Sequence, residues 1–369
     1  MALILNQDET MIADTARTLF ERHAPVSTFR ALRDSGEELA WDRELYARLA
    51  ESGLVAPNVA ESDGGLGLGA TAAGVIAEQA GHVLAAVPLL ASAIAGSLIA
   101  AVASAAQKER LIPALLAGES VLALAIDEAP RHRPDLLECS ARQEGAGWRL
   151  SGAKTAVIDG FDADGYLVSA RAGGEAGVFL VQRGADGLDV ERFASVDSRN
   201  YARIRLADAP SERLGEGDAS AALAATLDLG RALLAAELLG ICDEAFARTV
   251  AYLKQREQFG RPIGSFQALQ HRAARLYARL DVARAAVIAA LRAIDDQAED
   301  ATWLASLAKS VMSRLARELL AEAVQMHGGI GVTDAYDIGL FVKRGQCAGD
   351  LLGDDRFHTE RLARDCWGL

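Results

Sequence analysis

Residues 252–267, YLKQREQFGRPIGSFQ, decide how this chain is read. The stretch opens as a helix, because Ala245, Val250 and Leu253 continue an apolar stripe from upstream. It breaks at Gly260 and Pro262, where a helix cannot run on smoothly. Helical spacing resumes over 266–280. Arg256, Gln258 and Phe259 therefore fall at a helix end, bringing a cation, an amide and an aromatic ring to one corner. A guanidinium presents a planar fork of donors, so such a corner suits a phosphate or pyrophosphate. A helix hairpin with a solvated, charged turn would use the same residues, and this stretch alone leaves both open.

Working outward, the C-terminal part predicts four long helices over 220–253, 266–297, 299–327 and 336–369, with short joints, which makes a bundle. Residues 325–331, QMHGGIG, end the third helix on paired glycines that admit a close ligand or backbone. His327 reads as a surface or capping residue, since no second metal ligand stands at suitable spacing. Gly349 and Gly353 interrupt the last helical region beside the clustered Asp350, Asp354 and Asp355.

Upstream the periodicity changes. Short apolar runs at 120–126, 148–151, 155–158, 165–169, 177–181, 188–191 and 201–206, separated by turn residues, predict a sandwich or barrel. Before them, 8–23, 42–52, 70–81, 88–106 and 107–118 read as helices. The glycine-rich run 57–69, PNVAESDGGLGLG, reads as a loop or a flexible connector and lacks the GK[ST] of a Walker loop. The fold class expected is α+β: an N-terminal helical domain (1–119), a middle β-barrel or sandwich domain (120–215) and a C-terminal four-helix bundle (216–369).

Of the 369 residues, 51% are hydrophobic, enough for a substantial core, and aromatics are scarce at 5%, which favours packed helices. The net charge of −13 argues against a nucleic-acid or anionic-membrane surface. Cys139, Cys242, Cys347 and Cys366 show no metal or redox spacing, so reduced thiols and a cytoplasmic location are expected. The N-terminal residues have no basic region followed by an apolar run, so no signal peptide is expected. The most apolar stretch, 83–106, is Ala-rich and broken by Pro88, which argues for a buried helix over a membrane span.

The domain order, the residues Arg256-Glu257-Gln258-Phe259-Gly260-Arg261-Pro262-Ile263-Gly264-Ser265-Phe266-Gln267 and the run QMHGGIG together resemble the acyl-CoA dehydrogenase family of flavoproteins. The resemblance covers essentially the whole chain. Gly152-Ala153-Lys154, read as a turn after Trp148, Asp197 and Asp228-Leu229-Gly230-Arg231 support it. It implies FAD, with Arg256, Gln258, Phe259 and Gln267 on the diphosphate and adenine side of a cofactor held mainly by a neighbouring subunit, and Gln325, Gly328 and Gly329 lining the same nucleotide. It also implies a dimer or a dimer of dimers, an acyl-CoA substrate with Arg231 supporting its cleft, and an electron-transferring flavoprotein as acceptor.

The departures are as informative. Family members remove the substrate α-proton with a Glu that precedes a Gly in the final loop or, in a minority, stands beside the Arg that matches Arg231. Here those positions are Leu352 and Gly230, leaving Asp354 and Asp355 as weak candidates. The segment that in the family reads TEPxAGSD is IDEAPRHRP (126–134), and the flavin-stacking Trp-Ile-Thr is Ala156-Val157-Ile158. This pattern resembles the base-less partner chain of heteromeric acyl-CoA dehydrogenases. A self-sufficient homomeric enzyme with an Asp base is the alternative, and altered C–H oxidation chemistry is a third.

Overall fold

The computed structural model describes residues 3–36 and 41–367. The chain divides into two units: Met1–Arg30 with Gly74–Ala85 and Arg231–Leu369, and Ala31–Ala73 with Ala86–Gly230. Three helices run across the boundaries: α2 (Val26–Asp34), α4 (Gly69–Val83) and α7 (Ser220–Gln255).

The first unit is helical. It holds α1 (Gln7–His23), the second half of α4, most of α7, then α8 (Gln267–Asp295), α9 (Ala301–His327), α10 (Ile338–Asp350) and α11 (Asp355–Trp367). Helix α1 starts with a capping box, in which the Glu9 amide donates to Asn6 Oδ1 (2.9 Å) and the Asn6 amide donates to Glu9 Oε2 (2.7 Å). The same Glu9 carboxylate takes two bonds from Arg292 of α8, at 2.8 and 2.7 Å. Gly81 of α4 and Gly240 of α7 face each other's helix backbone; a Cβ at either would collide with the carbonyl of Glu237 or Glu78, so the two helices approach closely only because both residues are glycine. Helices α8, α10 and α11 pack on α9. The fourth long helix expected over 336–369 is two helices, interrupted where Leu352 (φ +52°) and Gly353 (φ +107°) leave helical space. Its last two residues lie outside the described residues.

The second unit holds α3 (Arg43–Glu51), α5 (Leu89–Val102), α6 (Ala105–Leu116) and seven strands: β1 (Leu122–Ala125), β2 (Ser140–Glu144), β3 (Gly147–Ile158), β4 (Gly165–Ala172), β5 (Glu175–Gln182), β6 (Leu188–Arg192) and β7 (Tyr201–Leu214). Pairing runs β4-β2-β3-β7-β5 and returns to β4, so five strands form a closed ring, with β1 added on β4 and β6 on β7. Closure leaves few free edges, which is the barrel solution to strand exposure. The runs 148–151 and 155–158 are one strand, and Gly152-Ala153-Lys154 is strand rather than turn. At Gly152 a Cβ would stand 2.8 Å from Cys139 Cα, so glycine lets the neighbouring chain lie against β3. The loop 57–69 is ordered: the amides of Gly67 and Leu68 bond back to the carbonyls of Val59 and Pro57 at 2.8 and 2.9 Å.

Among the described residues no helix is long and apolar enough to cross a membrane. All four cysteines are free thiols.

Candidate functional site

The corner that opened the sequence reading is a small hairpin. After α7, β8 (Glu257–Gln258) pairs with β9 (Arg261–Pro262) across the two-residue turn Phe259-Gly260. Both turn residues have positive φ, +55° and +75°, the conformation of a type I′ hairpin turn. Glycine is at home there; phenylalanine is not. Yet Phe259 holds that backbone while its ring is 91% exposed, in edge contact with Phe266 at 6.0 Å. The apolar ring thus stands open to solvent on a strained turn. Arg256 beside it is exposed and has no carboxylate partner among the described residues. Gln258 is exposed and its amide rests on the Glu257 carbonyl (2.8 Å), while Gln267 is exposed at the first position of α8.

The second segment closes α9. Gln325, Gly328 and Gly329 are exposed, Gly328 has φ +64°, and a Cβ built on either glycine meets nothing within 4 Å. His327, expected at the surface, is instead 3% exposed. Its ring lies between Tyr252 (4.6 Å between centroids) and Tyr336 (4.9 Å), and its Nδ1–H donates to the Ala323 carbonyl at 2.7 Å. The aromatic contact overrides the polarity that placed histidine outside. Because Tyr252 stands on the last turn of α7, the stack brings the two segments together.

The family's base position lies in the break between α10 and α11. Leu352 is 6% exposed and its carbonyl takes bonds from Arg231 Nε and His358 Nε2, both at 3.2 Å. Lys309 of α9, fully buried, donates to the carbonyls of Gly349 (2.6 Å) and Gly353 (3.0 Å) and contacts Ser313 Oγ (3.2 Å). Burial pushes its ammonium down to about 7, against the pull of Asp350, with Arg231 pushing the same way as burial. Arg231 is 2% exposed and sits 5.6 Å from the Phe357 ring. Neither nearby aspartate is idle. Asp354 caps α11 by accepting from the Phe357 amide (2.8 Å). Asp355 accepts from Ser310 (2.9 Å) and Arg314 (3.0 Å); burial raises its pKa, but these bonds outweigh it and hold the carboxyl below the usual range. Gly230, the other base position, is buried in α7.

In the strand unit, the segment 126–134 is tied down by two carboxylates. Asp127 holds His132 Nδ1 at 3.0 Å and the Arg133 amide at 3.1 Å. Glu128 pairs with the buried Lys154 at 2.7 Å and accepts from the amides of Glu138 and Cys139. Ala156 sits at a bulge of β3 with φ +51°.

Residues 6–119 match the family described as acyl-CoA dehydrogenase, N-terminal domain, and residues 219–366 match acyl-CoA dehydrogenase, C-terminal domain. The chain belongs to the acyl-CoA dehydrogenase family. It is 31% identical to acyl-CoA dehydrogenase IpdE2 of Mycolicibacterium smegmatis, over 97% of this chain and 98% of that one. Among solved structures, it resembles the Tcur3481-Tcur3483 steroid ACAD G363A variant (34% identity, TM-score 0.89, 97% of both chains). It also resembles the ChsE4-ChsE5 complex from Mycobacterium tuberculosis (26% identity, TM-score 0.91, 99% of both chains).

Members of this acyl-CoA dehydrogenase family are FAD-dependent oxidoreductases, and the corner fits that cofactor. A free guanidinium, three exposed amides and open space at Gly328 and Gly329 are what a dinucleotide's phosphates and adenine need. Sequence reasoning missed the Lys309 and His358 clamps. Lys309 carried a signal: it interrupts the apolar stripe of Ala305, Ala308 and Met312, where a charge is tolerated only with buried partners.

Proposed function

We propose that this chain is the base-less subunit of a heteromeric acyl-CoA dehydrogenase, completing an FAD site held mainly by a second, dehydrogenase-like chain. The observation that carries this is the contrast within the helical unit. At the base position stands a buried leucine in a loop clamped by Arg231, His358 and Lys309, whereas Arg256, Gln258 and Phe259 stand open toward solvent. Leucine accepts no proton, and Asp354 and Asp355 are engaged as cap and ion pair, which counts against the homomeric alternative with an Asp base.

FAD, when bound, would supply the hydride acceptor for the α,β-dehydrogenation of an acyl thioester. This chain's part is binding and orientation. Arg256 neutralises the diphosphate, Gln258, Gln267 and Gln325 donate or accept at the nucleotide edge, Phe259 covers an apolar face, and Gly328-Gly329 lets the backbone approach. Arg231, which is buried, supports the loop 350–354 through the Leu352 carbonyl. In this role the chain has an N-terminal helical domain (1–119), a middle β domain (120–215) and a C-terminal bundle (216–369), and works in the cytoplasm. The likeness to a steroid ACAD supports a bulky, polycyclic acyl-CoA as substrate of the complex, with an electron-transferring flavoprotein as acceptor.

The test is purification alone and after co-expression with a dehydrogenase-like chain that carries the Glu. Alone, the chain is expected to be colourless and inactive; together, yellow and able to reduce an artificial acceptor with an acyl-CoA. A yellow, active chain without a partner would overturn the proposal.

A further inference from the structure

We infer that His327 is a positioning residue for the nucleotide corner: its ring, held between Tyr252 and Tyr336, keeps the segments 252–267 and 325–331 in one arrangement toward the flavin nucleotide. The inference rests on the proposed role in FAD binding and concerns a residue that role does not use.

Each direct-contact segment is held by backbone bonds: the Ile263 amide donates to the Arg256 carbonyl at 2.8 Å, and the Gly328 amide donates to carbonyls at the end of α9. Arg256 and Gln258 stand on a hairpin of two short strands, and Gly328-Gly329 has no side chain to anchor it. What joins them is aromatic. The Arg256 amide donates to the Tyr252 carbonyl at 2.8 Å, so the backbone that carries the guanidinium follows that of Tyr252. The Tyr252 ring lies 4.6 Å from the His327 ring at 30°, and His327 directly precedes Gly328. Tyr336 meets the His327 ring at 4.9 Å and Tyr252 at 6.3 Å, so the three rings form a triangle. The Nδ1–H bond to Ala323 sets the rotation of the imidazole, and the Cβ of His327 stands 3.0 Å from where a Cβ of Gly331 would be. Nε2 is buried with no hydrogen-bond partner among the described residues, so ring packing and not a polar network holds the position. Burial keeps the ring neutral by lowering its pKa, against the lift from the Ala323 carbonyl, and a neutral ring packs against the two phenols without a desolvation cost for charge. His327 is too deeply buried to touch a nucleotide itself.

The experiment measures FAD affinity, by flavin fluorescence, of the assembly as purified, stripped of cofactor and reloaded. Each variant is kept at a temperature where circular dichroism shows it folded. His327→Ala and Tyr252→Leu are expected to weaken FAD binding about tenfold, the size of one lost aromatic contact. His327→Phe, which restores the ring without the nitrogens, is expected to stay within about threefold of the parent. Tyr252 is half-buried, so Tyr252→Leu gives an answer where His327→Ala does not fold. The inference is overturned if the folded variants melt earlier but bind FAD as the parent does, or if His327→Phe is as weak as His327→Ala. Arg256→Ala separates the two levels. If it leaves FAD affinity unchanged, the proposed role fails; if it weakens binding while the His327 and Tyr252 variants do not, only the positioning role fails.

Discussion

At the scale of single residues, Lys309 shows how a polar group stabilises the place where the family's base would stand. Its ammonium holds two loop carbonyls, and Arg231 and His358 hold the carbonyl between them. Lys309→Met keeps the length of the side chain but leaves the carbonyls of Gly349 and Gly353 without their buried donor. A loss of about 2–4 kcal/mol in denaturant unfolding is expected. The pH dependence has a definite sign. The ordinary lysine value is 10.5 and burial brings this one to about 7, so between those values the unfolded chain binds the proton more readily than the folded one. The Lys309 contribution to stability is therefore full above pH 10.5 and is lost as pH falls toward 7. Lys309→Met should remove that part of the slope, seen as a flatter stability curve between pH 7 and 10. An unchanged slope would place the titration elsewhere.

At the scale of elements, the hairpin Phe259-Gly260 and the break at Leu352-Gly353 both spend backbone strain. A non-glycine residue at positive φ costs about 1 kcal/mol. Asparagine is the residue that a type I′ turn prefers ahead of glycine. Phe259→Asn should thus leave the chain equally or more stable, by up to about 1 kcal/mol in thermal melts, while lowering FAD retention, because the exposed ring is lost. A variant that keeps its FAD would show that the ring has no part in the site. At the break, Gly353→Ala would drive a methyl into the Phe357 ring and to 2.8 Å from His358 Nε2, at φ +107°. That turn should lose more than about 1–3 kcal/mol, measured by unfolding. These elements also mark how far the sequence could be read. Pro262 and the paired glycines announced where helices stop, and apolar spacing located α1, α3 and α7 to α9. Strand β2 (SARQE) was invisible, because it is polar and largely exposed and is held by its pairing with β3 rather than by alternation. Helix α2 was missed between Pro25 and Gly36, although Val26, Phe29 and Leu32 carry helical spacing. His327 looked like surface because no local pattern reveals two tyrosines, one 75 residues before it and one 9 after, closing over its ring.

At the scale of the whole molecule, the exposed apolar side chains of Phe259, Ile330 and Val332 lie on or beside the two nucleotide segments. Apolar groups left open together at this corner are what a cover supplied by a second chain would bury. If that cover is the cofactor and surface of a second kind of chain, the number of flavins follows from which chain has a complete ring pocket. Here the ring side lacks the family's Gly-rich half and its Trp-Ile-Thr, and the segment 126–134 is tied instead to Asp127 and Glu128. The complex should then hold about one FAD per pair of chains, read from flavin absorbance against protein mass, where a homomeric enzyme would hold about one per chain. On the proposed reading, in which the other chain would hold the catalytic Glu and the ring pocket, Arg256→Ala in this chain should still lower that ratio, a loss that mixing with fresh partner chain would not restore. A ratio of one per chain, insensitive to Arg256, would mean that this chain carries a complete flavin site of its own and that Ala156-Val157-Ile158 replaces the stacking residues by a route other than a partner.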